Sequence, residues 1–202
     1  NCGPPYTNLA GKITQYTNNT YTTPVASPTW TYGGTKNCGT CGVTGGKAGE
    51  LVVGGGKFIG FAPGTYCLGE VSFTGGTYVQ VTDRTIMTVD GQFTLSGGGF
   101  ANVTQLAQNL QIISTYGNDA GETKTGVTLS GGSDAYATIY APTTSAVIGG
   151  GGALYGGVMA KTVSFTGGSA VHFDEFLMTP GAGLGGGVAV STFSLLDWRR
   201  SN

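Results

Sequence analysis

Val127-Thr-Leu-Ser-Gly-Gly132 is followed by Ala146-Val-Ile-Gly-Gly-Gly151 and Val163-Ser-Phe-Thr-Gly-Gly168. It is preceded by Val71-Ser-Phe-Thr-Gly-Gly76 and Phe93-Thr-Leu-Ser-Gly-Gly98. In each phrase the first and third residues are apolar and the second and fourth are small. That alternation is the period of a strand with one face buried. The Gly-Gly that follows supplies a corner with positive φ, which a side chain disfavours. The third residues, Phe73, Leu95, Leu129, Ile148 and Phe165, stand 22, 34, 19 and 17 residues apart. The 34-residue gap holds either two turns or one turn with an insertion.

A second phrase recurs beside the first. Ala135-Tyr-Ala-Thr-Ile-Tyr-Ala141 matches Leu154-Tyr-Gly-Gly-Val-Met-Ala160, with Tyr136 to Tyr155 and Ile139 to Val158 each 19 apart. Two strand phrases repeating at one period describe a repeating supersecondary unit, the mark of a solenoid. The reading is all-β, a parallel β-helix over 50–202. Phe73, Leu95, Leu129, Ile148 and Phe165 would stack into an interior ladder, while Thr128 and Ser130 face solvent. Five to seven such rungs would give a rod roughly 25–35 Å long. Ala137, Gly156 and Gly157 suit a narrow interior. A β-sandwich also alternates and uses glycine turns, but it does not require one offset in successive units.

Composition agrees with sheet and excludes several function classes. Gly numbers 39 and charged residues make up 9%, against an ordinary share of about 25% charged. Disorder is poor in aromatics, whereas this chain carries 10 Tyr and 9 Phe. The net charge is −1 and the only adjacent basic pair is Arg199–Arg200, too little to bind nucleic acid by counterion release. No apolar run reaches the ~20 residues of a membrane-spanning helix. The opening at Asn1-Cys2 reads as a processed ectodomain. A nearly neutral surface rich in Thr and Ser suits packing against copies of itself.

Residues 1–49 lack the repeat and read as an irregular N-terminal cap or arm, with Pro4, Pro5, Pro24 and Pro28. Cys2, Cys38, Cys41 and Cys67 fall in the first third of the chain and read as structural disulfides stapling that end, with the pairing open among three connectivities. Cys38-Gly-Thr-Cys41 also matches a redox motif, but no βαβ context accompanies it. Half a zinc site is a further reading, but the single His172 is far away in sequence. One short helix is expected over 102–108, N-capped by Asn102. Asn18 and Asn102 fit the glycosylation triplet.

The candidate sites are sparse, and no catalytic, cofactor or metal residue is assigned. His172 with Asp174 and Glu175 is the one group resembling acid–base chemistry, and a turn ending the last rung is the preferred account of the same residues. Asp83, Asp90, Asp134 and Asp174 do not recur at the rung spacing, so no groove of carboxylates is indicated. Asp119 and Glu122 alone supply too few oxygens for calcium. The Gly149–Gly152 run lacks the Lys-Ser/Thr of a phosphate loop. Exposed tyrosines, Tyr140 among them, offer faces to a glycan. Thr128, Val147 and Ser164 do not make the pure threonine file of an ice-binding face.

Pro63-Gly-Thr-Tyr66, Leu110-Gln-Ile-Ile113, Val127-Thr-Leu-Ser-Gly-Gly132, Ala137-Thr-Ile-Tyr-Ala-Pro142, Leu154-Tyr-Gly-Gly-Val158, His172-Phe-Asp-Glu175 and Leu195-Leu-Asp-Trp-Arg199 carry a resemblance. Over about residues 60–200 the chain resembles the C-terminal glycine-rich domain of bacterial minor-pilin-like and pilus-assembly-associated surface proteins. The resemblance implies an extracellular, non-enzymatic part of an appendage or cell surface. Its expected partners are further copies, other pilus or surface subunits, or a glycan.

Overall fold

The structure, a computed structural model, describes Leu9 and residues 11–37, 47–117 and 125–178. The strands are β1 (Ile13–Tyr16), β2 (Thr31–Asn37), β3 (Lys47–Val53), β4 (Phe58–Phe61), β5 (Gly64–Leu68), β6 (Glu70–Phe73) and β7 (Tyr78–Val81). They continue with β8 (Thr85–Val89), β9 (Phe93–Leu95), β10 (Phe100–Ala101), β11 (Leu110–Ser114) and β12 (Val127–Leu129). Last come the long β13 (Asp134–Ile148) and β14 (Ala153–Phe165), and then β15 (Ala170–Phe173).

Their pairing is a three-faced parallel coil of about six turns. The first face stacks β3, β6, β9 and β12, then the ends of β13 and β14. The second stacks β4, β7 and β10, the starts of β13 and β14, and β15. The third stacks β5, β8 and β11, then the middles of β13 and β14. The Gly-Gly corner links the first face to the second in every turn. From the second face to the third the chain uses short loops early on, while β13 and β14 run through all three faces unbroken.

Each face contributes a file of side chains to one interior. Val53, Phe73, Leu95, Leu129, Ile148 and Phe165 are consecutive register partners on the first. Ile59, Val79, Ala101, Ala135, Leu154 and Val171 follow one another on the second. Tyr66, Met87, Ile112, Ile139 and Val158 do so on the third. Phe73, Leu95, Leu129 and Ile148 are at most 1% exposed, but Phe165 is 52% exposed. Phe165 therefore keeps the ladder's register without its burial, because no described strand lies beyond it.

The interior tapers along the coil. Phe61, Tyr66, Phe73 and Phe93 fill the early turns edge to face, with ring centroids 5.3–6.2 Å apart. Later turns place Ala137 against Gly156 and Ala141 against Ala160. Gly156 is buried, whereas Gly157 is only half-buried and sits over the third face rather than in the interior.

The glycine corners explain why the phrase ends as it does. Gly75, Gly97, Gly131, Gly150 and Gly167 have φ between +61° and +78°. A Cβ on any of them would approach a backbone nitrogen of the glycine one turn earlier to 2.6–3.1 Å. Positive φ and close stacking of backbone on backbone both require glycine there. The second glycine of each pair, such as Gly132, has the same sign of φ, but its Cβ would come no closer than 4.0 Å to Gly150 O.

The structure decides between the two readings of the 34-residue gap and corrects two expectations, the wholly irregular N-terminal region and the short helix. The 34-residue gap is one turn carrying two insertions, since Leu95 pairs directly with Leu129. The N-terminal region is not irregular throughout: β1 pairs antiparallel with β4, and β2 antiparallel with β3. These two strands close the edges of the first turn, which would otherwise present unpaired backbone. No α-helix occurs among the described residues. The expected helix over 102–108 is replaced by a turn and a 3-10 segment at Ala107–Asn109. Asn102 takes φ +65° instead of capping, and its Nδ2 donates to the carbonyls of Leu106 and Tyr136 at 2.7 and 2.8 Å. The disulfide staple finds no support: Cys2, Cys38 and Cys41 lie outside the described residues. Cys67 is buried on β5 and alternates with the core residues Tyr66 and Leu68, so it faces away from the interior.

Candidate functional site

Strand alternation makes the outer surface of each face as regular as its inner one. The third face is not a free surface over its first turns, because β5 and β8 are buried on both sides. The first and second faces remain.

The outer side of the first face carries Val52, Ser72, Thr94, Thr128, Val147 and Ser164 in unbroken register. All six are partly or fully exposed, and none is charged. Thr74, Ser96, Ser130 and Thr166 follow two residues later in their turns and are exposed to a similar degree. At one end Glu50 and Glu70 are register partners on the neighbouring file. At the other end Ser145 and Thr162 join their hydroxyls at 2.7 Å. The face is thus a strip of small uncharged side chains spaced at the ~4.8 Å of stacked strands.

The second face is aromatic. The rings of Tyr136, Tyr155 and His172 stack in turn, with centroids 4.5 and 4.7 Å apart and planes within 12°. Phe58 and Tyr78 stack at 5.5 Å in the early turns, and Tyr21 meets Phe58 edge-on at 6.1 Å. Because the tyrosines stack on one another, they offer ring edges and hydroxyls to solvent more than open ring faces. Burial, then Tyr155 and Asp134, raise the Tyr136 hydroxyl above its ordinary pKa. Tyr140 projects from the third face and is 40% exposed.

The carboxylates of interest serve the scaffold. Asp134 Oδ1 accepts from the Ala153 N–H at 2.8 Å, tying one turn to the next. Asp90 Oδ1 accepts from Thr115 Oγ1 at 2.9 Å, and Asp83 Oδ1 from the Arg84 N–H at 2.7 Å. Asp174 Oδ1 accepts from the Phe176 N–H at 3.0 Å, at the head of the 3-10 segment Glu175–Met178. His172 faces Tyr155 rather than a carboxylate, so the trio His172, Asp174 and Glu175 is distributed between a ring stack and a turn. Among the described residues no three His, Cys, Asp or Glu side chains cluster to hold a metal ion, and Asp119 and Glu122 lie outside them. No helix among the described residues is long and apolar enough to cross a membrane.

Sequence reading missed the hydroxyls that pin the corners. Thr77 Oγ1 donates to the carbonyls of Thr74 and Val53 at 2.8 and 3.2 Å, and Ser169 Oγ donates to the Ile148 carbonyl at 2.6 Å. Ser133 Oγ accepts from the Gly99 N–H at 3.2 Å. The signal was present: Thr77, Ser133 and Ser169 each follow a Gly-Gly pair, alternating up the stack with Gly99 and Gly152. A Cβ on Gly99 would come within 2.6 Å of the Thr77 carbonyl oxygen.

Fold and surfaces together define a parallel β-solenoid with repeating outer faces. The chain belongs to the family described as Domain of unknown function (DUF7305), which matches residues 43–179. Comparison with curated proteins gives no match, and comparison with solved structures gives none either.

Proposed function

We propose that the protein is a non-catalytic structural element of an extracellular bacterial appendage or cell surface, packing side by side with copies of itself or with other surface subunits. The observation that carries the reading is the uncharged strip Val52, Ser72, Thr94, Thr128, Val147 and Ser164. A flat face of small side chains loses little rotamer entropy on contact, and it presents no charge to be desolvated. In the extracellular setting Cys67 would join Cys2, Cys38 or Cys41 in a disulfide that holds the N-terminal end. Filaments or sheets seen by electron microscopy of material from its source are the expected result. Thr94→Lys with Thr128→Lys puts two like charges opposite one another in mid-strip and should disperse the assemblies while the monomer stays folded. Separate particles from the unmodified protein at all concentrations, or assemblies indifferent to both lysines, would overturn the reading.

The aromatic second face favours one alternative, an adhesin-type module that binds glycan through the hydroxyl edges of Tyr136 and Tyr155 beside His172. Glycan-array binding that disappears in Tyr155→Ala, without loss of assembly, would select this reading over the first.

A further inference from the structure

The acceptor triplet for N-linked sugar occurs twice, at Asn18-Asn-Thr20 and Asn102-Val-Thr104, and the fold treats the two in opposite ways. Asn102 is fully buried, and both protons of its Nδ2 are committed to the Leu106 and Tyr136 carbonyls at 2.7 and 2.8 Å. That nitrogen cannot meet a sugar without the loss of two buried hydrogen bonds. Asn18, Asn19 and Thr20 are all exposed. They sit in the loop 17–23, whose ends are fastened. The Thr17 N–H donates to the Thr23 carbonyl at 3.0 Å, and Tyr16 and Pro24 form an antiparallel bridge beneath it. Within the loop the Tyr21 N–H donates to the Asn18 main-chain carbonyl at 3.4 Å, with Tyr21 at φ +53°.

The Asn18 side chain is poised differently at its two ends. Oδ1 accepts twice, from the Thr20 N–H at 3.2 Å and from Thr20 Oγ1 at 2.6 Å. With that proton committed, Thr20 Oγ1 accepts from Thr22 Oγ1 at 2.9 Å. Nδ2 has no hydrogen-bond partner among the described residues. Donors on an amide oxygen, polarised in turn by a second hydroxyl, draw electron density from the nitrogen and make its protons more acidic. A hydroxyl bond inside the triplet is common to both sites, since Thr104 Oγ1 donates to Asn102 Oδ1. What separates them is the exposed, uncommitted nitrogen of Asn18.

We propose that Asn18 is a glycan attachment site, taking an oligosaccharide from a lipid-diphosphate donor, and that Asn102 is not. In the transfer Asn18 Nδ2 forms a bond to the anomeric carbon of the sugar, and the bond from that carbon to the diphosphate oxygen breaks. The amide proton passes to a base of the transferase, and the lipid diphosphate leaves. The loop lies at the early end of the second face, where Tyr21 meets Phe58 edge-on at 6.1 Å, so the sugar stands apart from the uncharged strip of the first. The inference shares with the proposed function only the extracellular location.

The test is peptide mass spectrometry of the full chain recovered from its source, with the extracellular fraction measured separately. Trypsin parts the two triplets into 13–36 and 85–124. The expected result is 13–36 heavier by an oligosaccharide and 85–124 unmodified. Asn18→Gln and Thr20→Val should each lose the added mass, and Thr20→Ser should keep it. All three alter exposed side chains, so an unchanged unfolding temperature excludes misfolding as the cause of a loss. Extracellular protein with 13–36 bare overturns the attachment site and leaves the location standing; sugar on 85–124 overturns the selection by burial. Protein found only inside the cell overturns the location. The site is then decided on the purified folded chain, given a purified oligosaccharyltransferase that requires only the triplet and a lipid-diphosphate oligosaccharide. Transfer to Asn18 alone is expected there; no transfer to Asn18, or equal transfer to Asn102, overturns the proposal.

Discussion

The early turns and the late turns are coils of different bore. Ladder residues Val53, Phe73 and Leu95 are 20 and 22 residues apart, and the interior between them holds Phe61, Tyr66, Phe73 and Phe93. Leu129, Ile148 and Phe165 are 19 and 17 apart, and Ala135, Ala137, Ala141 and Ala146 fill the corresponding space. Fewer residues per turn enclose a smaller cross-section, so the side chains inside must shrink with it. The same pairing geometry serves both, which shows that bore is set by turn length and side-chain volume together while the hydrogen-bond ladder stays constant.

The largest effect that would break this comparison is a cavity in the wide half and a wedge in the narrow one. Phe73→Ala removes a ring that contacts Phe61 and Phe93, and should cost about 3–5 kcal/mol in denaturant unfolding. Ala137→Leu, fully buried opposite Gly156, should cost about 1–3 kcal/mol by overpacking; the same Leu substitution at Ala101 in the wider half should cost less. Equal costs at Ala137 and Ala101 would remove the distinction in bore.

The corner glycines sharpen it next. Both members of the Gly131-Gly132 pair have positive φ, but only at Gly131 does a Cβ strike backbone, 2.8 Å from Gly97 N. Gly131→Ala should therefore lower stability by about 1–3 kcal/mol and Gly132→Ala by roughly 1 kcal/mol. Thermal unfolding of the two variants that ranks them the other way round would show that stacking distance does not govern the corner.

The smallest effect separates the two halves by pH. Burial, with Tyr78 second, pushes the Tyr21 hydroxyl up to about 12 from 10.0. The unfolded chain releases this proton first, so the stability Tyr21 contributes is complete below pH 10 and is lost as pH rises from there toward about 12. Its hydroxyl has no hydrogen-bond partner among the described residues, so Tyr21→Phe should leave neutral-pH stability nearly unchanged and flatten the alkaline loss. An alkaline unfolding curve identical to that of the parent chain would refute the assignment to Tyr21.

How far the sequence was legible follows from which residues carry a unique physical demand. The first face could be read because Gly-Gly corners stamp it in each turn, and Leu95 pairing with Leu129 shows that the stamp outlasts a 34-residue interval. The turn at Leu51-Val-Val-Gly-Gly-Gly56 bears the same stamp, and the pairing of β3 with β6 sets it in the coil. The third face has no comparable marker, since Cys67, Ile86 and Thr88 are buried on its outer side and alternation disappears. Asn102 was misread because an asparagine before a polar stretch fits an N-cap, while its actual partners, the carbonyls of Leu106 and Tyr136, include one 34 residues distant. The outer faces are legible in part: the repeat itself aligns Tyr136 with Tyr155, whereas His172 joins them only through the pairing of β14 with β15.

In this coil the backbone hydrogen bonds run along the rod, from one turn to the next. Tension applied end to end therefore loads the turns in series, and the weakest rung peels first and alone. Shear across the rod is opposed by many bonds of one rung together. A coil of this design holds load well when gripped along its flanks, and poorly when pulled by its tips.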